Sequence, residues 1–252
     1  MKSEQVNCST PRTLMNKLIL VNNEGIILND YIIRNVGSNE WITLGFLNQY
    51  GFNLACKSTE DLKSFCGLDV ILRDGIGIKL ALKFLGIEAG TNLNGTDLIP
   101  KIVNATKSNN PNYIVLGTES PWLEKGSKKL FGNDDFKVLD GFKEYEEYLV
   151  FLKETVDSTK YNVVILAMGM PKQEVLAERI KREIKANGVV VCGGAIIDFQ
   201  AGRFKRAPVW MRKLSLEWLY RLLKEPKRLF NRYVIGIPVF FYNLLLWFGF
   251  KR

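Results

Sequence analysis

The chain has 252 residues, 47% hydrophobic and 24% charged, which suits one large domain or a domain with an appendage and allows a sizeable core. It contains no histidine, which excludes a His-based triad, His general acid–base work and His-ligated metal sites. The formal net charge is +9, and residues 203–232 carry ten Lys or Arg against two acids, a net +8, so the stretch before them sums to about zero.

Residues 1–12 are polar and lack the apolar run of a signal peptide. Residues 18–33 place an Asn-Glu-Gly turn between apolar runs, the pattern of a hairpin. Short runs rich in β-branched residues predict strands at 41–44, 68–72, 113–116, 137–139, 163–167 and 189–192. Helical patterns fall between them at 47–58, 78–85, 96–107, 122–131, 143–154 and 172–186. This alternation predicts an α/β fold, a Rossmann-like parallel sheet with helices on both faces. The four cysteines (Cys8, Cys56, Cys66, Cys192) show no CxxC and no metal-ligand spacing, and read as free thiols in a reducing cytosol.

The core reads as residues 1–202 and a basic, apolar appendage as 203–252, broken into short helices by Pro208, Pro226 and Pro238. Basic charge interleaved with Trp210, Trp218, Tyr220 and Phe230 points to an anionic, partly greasy partner, best met by a membrane surface with phosphorylated lipid. The apolar run 234–250 would span about 25 Å as a helix, at or below the usual minimum for a bilayer crossing, and reads as an interfacial or re-entrant anchor or a hydrophobic flank of the appendage, ahead of a transmembrane span.

In an open parallel sheet, ligands bind beyond the carboxyl ends of the strands. Asp74-Gly75-Ile76-Gly77 follows one predicted strand, and Asp74 is either a strand-end general base or a plain helix N-cap. Gly117-Thr118-Glu119-Ser120-Pro121 offers a sugar or nucleotide contact or is simply a turn. Gly169-Met170-Pro171-Lys172-Gln173-Glu174 sets Lys172 and Gln173 at a helix N-terminus, suited to a diphosphate or sugar hydroxyls. After the last strand, Gly193 and Gly194 allow close packing on a ligand, and Asp198 is available to pair with Arg203 or Arg206.

The last two loops run on into Arg206-Ala207-Pro208 and then Leu216-Glu217-Trp218, Arg221-Leu222 and Glu225-Pro226-Lys227-Arg228. These ordered motifs, with Asp74–Gly77 and Gly95-Thr96-Asp97 upstream, resemble the WecG/TagA/CpsF glycosyltransferases over roughly residues 41–233. The resemblance implies a Rossmann-like glycosyltransferase with a UDP-sugar donor and an undecaprenyl-diphosphate-linked sugar acceptor at the cytoplasmic membrane face. Transfer would be inverting and metal-independent, with no cofactor, in cell-surface polysaccharide synthesis. The appendage would close over the site and dock the enzyme peripherally on the membrane. The family's catalytic Asp maps onto Asp74, its functional Gln onto Gln173 and its substrate-facing Thr onto Thr43. Its diphosphate-contacting arginines map onto Arg221, Arg228 and the neighbourhood of Arg232. Gly75, Gly77, Gly117, Lys172, Gly193 and Gly194 would line the substrates. Two positions depart from the family pattern: Gly45 stands where Asn is usual, and Asn92 where Arg is frequent.

Two rival classes follow from the same residues. One is a non-catalytic nucleotide- or lipid-binding subunit of a polysaccharide assembly complex, against which Asp74 and Gln173 weigh. The other is a nucleic-acid-binding α/β protein, to which the apolar 239–242 stretch adds nothing. A homo-oligomer with the appendage at a subunit interface would carry the same sequence signals.

Overall fold

The computed structural model describes residues 8–249; the polar start at 1–7 and Phe250 of the apolar tail lie outside the described residues. Among the described residues one sheet holds β1 (Leu18–Ile19), β2 (Trp41–Leu47), β3 (Val70–Arg73), β4 (Asn112–Gly117), β5 (Lys137–Leu139), β6 (Asn162–Ala167) and β7 (Gly188–Cys192). The order across it is β1-β3-β2-β7-β6-β4-β5, and every neighbouring pair is parallel. β6 and β7 are buried at every position. Val164, Leu166, Val190 and Cys192 face one apolar cluster, whereas Val163, Ile165, Val189 and Val191 face the other. That period-two split explains why these strands read as unbroken apolar runs: both faces are covered.

Helices fill the connections. α1 (Pro11–Asn16) and the short α2 (Glu24–Ile26) precede β2, and α3 (Gln49–Lys57) and α4 (Thr59–Gly67) join β2 to β3. α5 (Gly75–Phe84) and α6 (Gly95–Thr106) follow β3, α7 (Trp122–Phe131) follows β4, α8 (Tyr145–Thr155) follows β5, α9 (Lys172–Glu183) follows β6 and α10 (Ile196–Ala201) follows β7. The appendage holds α11 (Val209–Lys213), α12 (Glu217–Lys224), α13 (Pro226–Phe230) and α14 (Gly236–Phe248).

The Rossmann-like parallel sheet is as expected, and each of the six predicted strands is present. Four local expectations are corrected. Residues 18–33 are not a hairpin: Leu18 and Ile19 pair parallel with Ile71 and Leu72 at the sheet edge. The Asn-Glu-Gly turn is a helix start, since Asn23 Oδ1 accepts from the Ile26 N–H at 3.3 Å and helical backbone continues to Gly37. α4 had no counterpart in the sequence reading, although Ser58 caps it by accepting from the Asp61 N–H at 3.2 Å. The cysteines are not all free: Cys8 and Cys66, with Cα atoms 6.1 Å apart, are disulfide-bonded, a pairing that two cysteines 58 residues apart do not announce.

Pro238 does not break the tail. It lies well inside a continuous helix, just after a π-helical turn, Asn231–Ile235, that carries the helix over from α13. Residues Pro226–Phe248 are therefore helical throughout, 23 residues rather than a short anchor, long and apolar enough to cross a membrane by length and composition. One face of α14 is nevertheless committed to the core. Gly236, Phe240, Leu244 and Phe248, spaced four apart, are buried. Phe52 of α3 meets Phe240 edge-on at 5.5 Å between ring centroids and stacks on Phe248 at 6.5 Å. Asn53 Nδ2 donates to the Gly236 carbonyl at 2.7 Å, and Asn243 Nδ2 donates to Asn53 Oδ1 at 3.1 Å.

Phe52 is fully buried at this joint. Phe52→Ala should therefore cost about 3–5 kcal/mol of stability, measured by urea denaturation; a loss below 1 kcal/mol would mean that α14 is not seated on α3 in solution.

Candidate active site

β3, β2, β7 and β6 lie side by side, and the loops beyond their carboxyl ends deliver Asp74, Asn48, Gly193 and Gly169 to one cleft of about 480 Å³. The Asp74 N–H donates to the Leu47 carbonyl at 2.9 Å, tying the end of β3 to the end of β2. Asp74 occupies the N-cap position of α5, yet its carboxyl makes no capping hydrogen bond. The two sequence readings thus separate: the backbone is that of a cap, and the carboxyl lines the cleft. Burial raises its pKa above the ordinary value; the charge of Arg232, a hydrogen bond from Asn48 and the charge of Arg221 act the other way, and Glu217 adds to the rise.

The loop that carries Asp74 is braced from below. Gly75 adopts φ +82°, a left-handed backbone that favours glycine, and donates its N–H to Asn92 Oδ1 at 2.9 Å. Buried Arg73 donates to the carbonyls of Ala89 (3.0 Å), Gly90 (3.0 Å) and Gly75 (3.1 Å) and to Asn92 Oδ1 (3.3 Å). Asn92 is therefore a joint between the Asp74 loop and the segment after α5, as well as part of the cleft wall.

On the opposite wall, Gln173 opens α9. Its Oε1 accepts from the Gly194 N–H at 3.0 Å, and its Nε2 donates to Glu174 Oε1 at 2.8 Å. Both ends of the amide are held, so its orientation is set. Glu174 is fully buried, its Oε2 has no hydrogen-bond partner among the described residues, and burial pushes its pKa up to about 7.

The appendage completes the cleft. Arg221 of α12 lies over the Phe199 ring at 5.3 Å, and Arg232, in the π-turn, lies over the Tyr50 ring at 4.9 Å. The Nε of each is buried and without a hydrogen-bond partner among the described residues. Arg206 fastens the appendage to the core by pairing with Asp97 of α6 and with Glu217 of α12, the latter at 3.2 Å.

Of the residues singled out from the sequence, Asp74, Gly75, Gly77, Gln173, Gly193, Gly194, Arg221 and Arg232 share this cleft. Four do not. Thr43 is fully buried near the start of β2, where its N–H (2.9 Å) and Oγ1 (2.8 Å) donate to Asp69 Oδ2, far from the ligand end of the strand. Gly45 packs against Leu68, where a Cβ would fall 2.4 Å from its Cδ1. Phe46 and Asn48, each three residues further along the chain, line the cleft instead. Gly117 serves the sheet, since a Cβ there would meet the Ala167 backbone at 2.3 Å. Lys172 Nζ is spent on the carbonyls of Gly141 (3.2 Å) and Lys143 (2.6 Å) and lies over the Tyr148 ring.

Arg228 points elsewhere too, donating to Glu225 at 2.7 Å and lying over Phe204. The chain breaks between α12 and α13 at Glu225, so the seven-residue spacing from Arg221 does not put the two arginines on one helix face. Asp198 is structural: its Oδ1 accepts from Thr118 Oγ1 at 2.7 Å and from Arg203 at 3.3 Å. The sequence reading missed Asn48, Tyr50, Phe199 and Glu217. Asn48 carried a usable signal, a polar residue between an apolar strand and a helix, and it caps α3 by accepting from Tyr50 and Gly51.

Fold and cleft together define a Rossmann-like α/β protein with an arginine-bearing ligand site at its strand ends. The chain belongs to the glycosyl transferase WecG/TagA/CpsF family, whose model matches residues 25–252. Among its relatives is an N-acetylglucosaminyldiphosphoundecaprenol N-acetyl-beta-D-mannosaminyltransferase of Staphylococcus aureus strain MW2, 27% identical over 177 residues, or 69% of this chain and 68% of the relative. A protein of the same name from Bacillus spizizenii is 27% identical over 173 residues, 68% of this chain and 65% of the relative. The protein is thus a glycosyltransferase.

Glu174 gives the site a pH signature. Its pKa is about 7 in the folded chain against an ordinary 4.5. Folding favours the protonated form, so this contribution is complete below the ordinary value and is lost as pH rises through about 7. Unfolding free energies from urea titrations should fall from pH 5 to pH 8, by the order of 1–3 kcal/mol, and the fall should be smaller in Glu174→Gln. Equal pH slopes in the two proteins would contradict this.

Proposed function

We propose that the protein transfers a sugar, with inversion and without metal, from a UDP-sugar to an undecaprenyl-diphosphate-linked saccharide at the cytoplasmic face of the membrane. The observation that carries this reading is the meeting of Asp74 and Gln173, from the core, with Arg221 and Arg232, from the appendage, in one cleft. The relatives' named acceptor, an N-acetylglucosaminyldiphosphoundecaprenol, supports the acceptor class, and their N-acetylmannosaminyl transfer supports an N-acetylhexosamine as the sugar. The product belongs to a cell-surface polymer.

Asp74 takes the proton of the acceptor hydroxyl as that oxygen attacks the anomeric carbon. The bond from that carbon to the UDP oxygen breaks on the opposite face, so a single displacement inverts the configuration. The raised pKa suits the role, because it makes the carboxylate a stronger base than an ordinary solvated one. Gln173, held at both ends, positions a sugar hydroxyl, and alignment of this kind is worth effective molarities of about 10⁵–10⁸ M. Negative charge that grows on the departing UDP is met by Arg221 and Arg232, whose planar forks suit phosphate oxygens.

The division into a catalytic core, 1–202, and a docking appendage, 203–252, is part of the same proposal. The outer face of α14 exposes Tyr242 (65%), Leu245 (54%) and Leu246 (53%) while its inner face is held by α3. That two-sidedness supports a helix lying in the interface rather than crossing it.

Asp74→Asn should fold normally and lower acceptor-dependent UDP release by at least ~10²-fold; near-wild-type turnover would remove Asp74 as the base. A chelator should leave the wild-type rate unchanged, and a rate abolished by chelation and restored by a divalent cation would remove the metal-independent step.

A further inference from the structure

The helix that follows the proposed base has an apolar stripe that the core does not use. The inner face of α5 buries Ile78, Ala81 and Leu82. Its other side carries Ile76, Leu80 and Phe84, four apart, and the line continues to Ile87. Leu80 is 43% exposed, Phe84 57% and Ile87 39%. Exposed Lys79 and Lys83 flank the stripe, Glu88 follows its outer end, and Asp74 and Glu217 share the cleft with its inner end. The stripe begins inside the cleft, since Ile76 and Leu80 line it, and runs outward from there. Across the same opening stand Ile237 and Phe241 of α14 and Leu214, just past α11. The mouth therefore has greasy lips on both sides, one from the appendage and one from the core.

We propose that the outer face of α5 is a second membrane contact, so that the cleft opens directly onto an anionic lipid surface between α5 and α14. This rests on the reading that α14 lies on the membrane. Two observations select a bilayer as the occupant: lysines beside exposed Leu and Phe match an anionic interface, and the stripe is continuous, through the cleft mouth, with the apolar face of α14. A lipid-linked diphosphate then reaches Asp74 without its chain leaving the bilayer. The core itself, and not the appendage alone, sets the depth and tilt of the enzyme.

The test is flotation of the full chain with vesicles of phosphatidylglycerol and phosphatidylcholine, beside size-exclusion chromatography. Lys83→Glu with Phe84→Ser should keep the wild-type melting curve, because both side chains are exposed, and weaken vesicle binding by roughly tenfold or more. Lys79→Glu with Lys83→Glu, which leaves every apolar group in place, should weaken it as well. Leu245→Ser with Leu246→Ser on α14 reports on the underlying reading. If that α14 pair loses binding while both α5 variants bind as wild type, the α5 contact is overturned and the α14 reading stands. If wild type does not bind, or all variants bind equally, both fall. A wild-type dimer turned monomeric by the α5 variants, with vesicle binding unchanged, assigns the stripe to a second copy and overturns the proposal.

Discussion

Phe240, Leu244 and Phe248 of α14 close on Phe52 of α3, and Asn53 clamps the backbone at Gly236. Everything specific about the cleft depends on that joint. It anchors the appendage at its far end, while the Asp97–Arg206–Glu217 bridge anchors it near its start. Between the two anchors the chain has little choice but to pass over the strand ends, and it delivers Arg221 and Arg232 there. The energy comes from ordinary apolar burial, which is non-directional; the direction comes from the few polar contacts, which fix where along α3 the helix sits.

The electrostatics of the cleft follow from the same arrangement. Asp74 alone at the end of β3 would be a solvated carboxylate at a helix start. Covered by the appendage, it loses water, which raises its pKa, and gains two guanidinium groups, which restrain the rise. Arg221 and Arg232 lie over aromatic rings, and among the described residues neither is in a salt bridge. A buried Nε with no acceptor is costly, and an anionic ligand in this cleft would relieve it. Arg203 and Arg228 show the contrast: each has a carboxylate of its own and neither lines the cleft.

The sheet was legible in the sequence because parallel strands covered on both faces leave unbroken apolar runs, and the ligand end was legible because Gly and Asp follow those runs. Asp74 and Gln173, which follow such runs, do line the cleft. What escaped was information that only packing holds. Thr43 was placed in the cleft by motif alignment, but the strand is seven residues long, and its ligand end is at Leu47 rather than Leu44. Lys172 and Gln173 are adjacent on α9, so one turns into the cleft and the other away, a distinction of about 100° that helix geometry imposes. Arg228, mapped with Arg221 onto the diphosphate, turns elsewhere because Pro226 starts a new helix after Glu225. Pro238 shows the opposite: it follows a π-helical turn and the helix runs on through it, so a tail that reads as fragments is one helix from Pro226 to Phe248.

The central claim is that core and appendage build one site around the departing diphosphate. The most direct test is a crystal structure of the full chain with UDP bound. The account predicts the diphosphate between the Gly193–Gly194 loop and the guanidinium groups of Arg221 and Arg232, with the Asp74 carboxyl facing the position of the sugar. UDP seated away from Asp74, with both arginines still folded onto Phe199 and Tyr50, would contradict it.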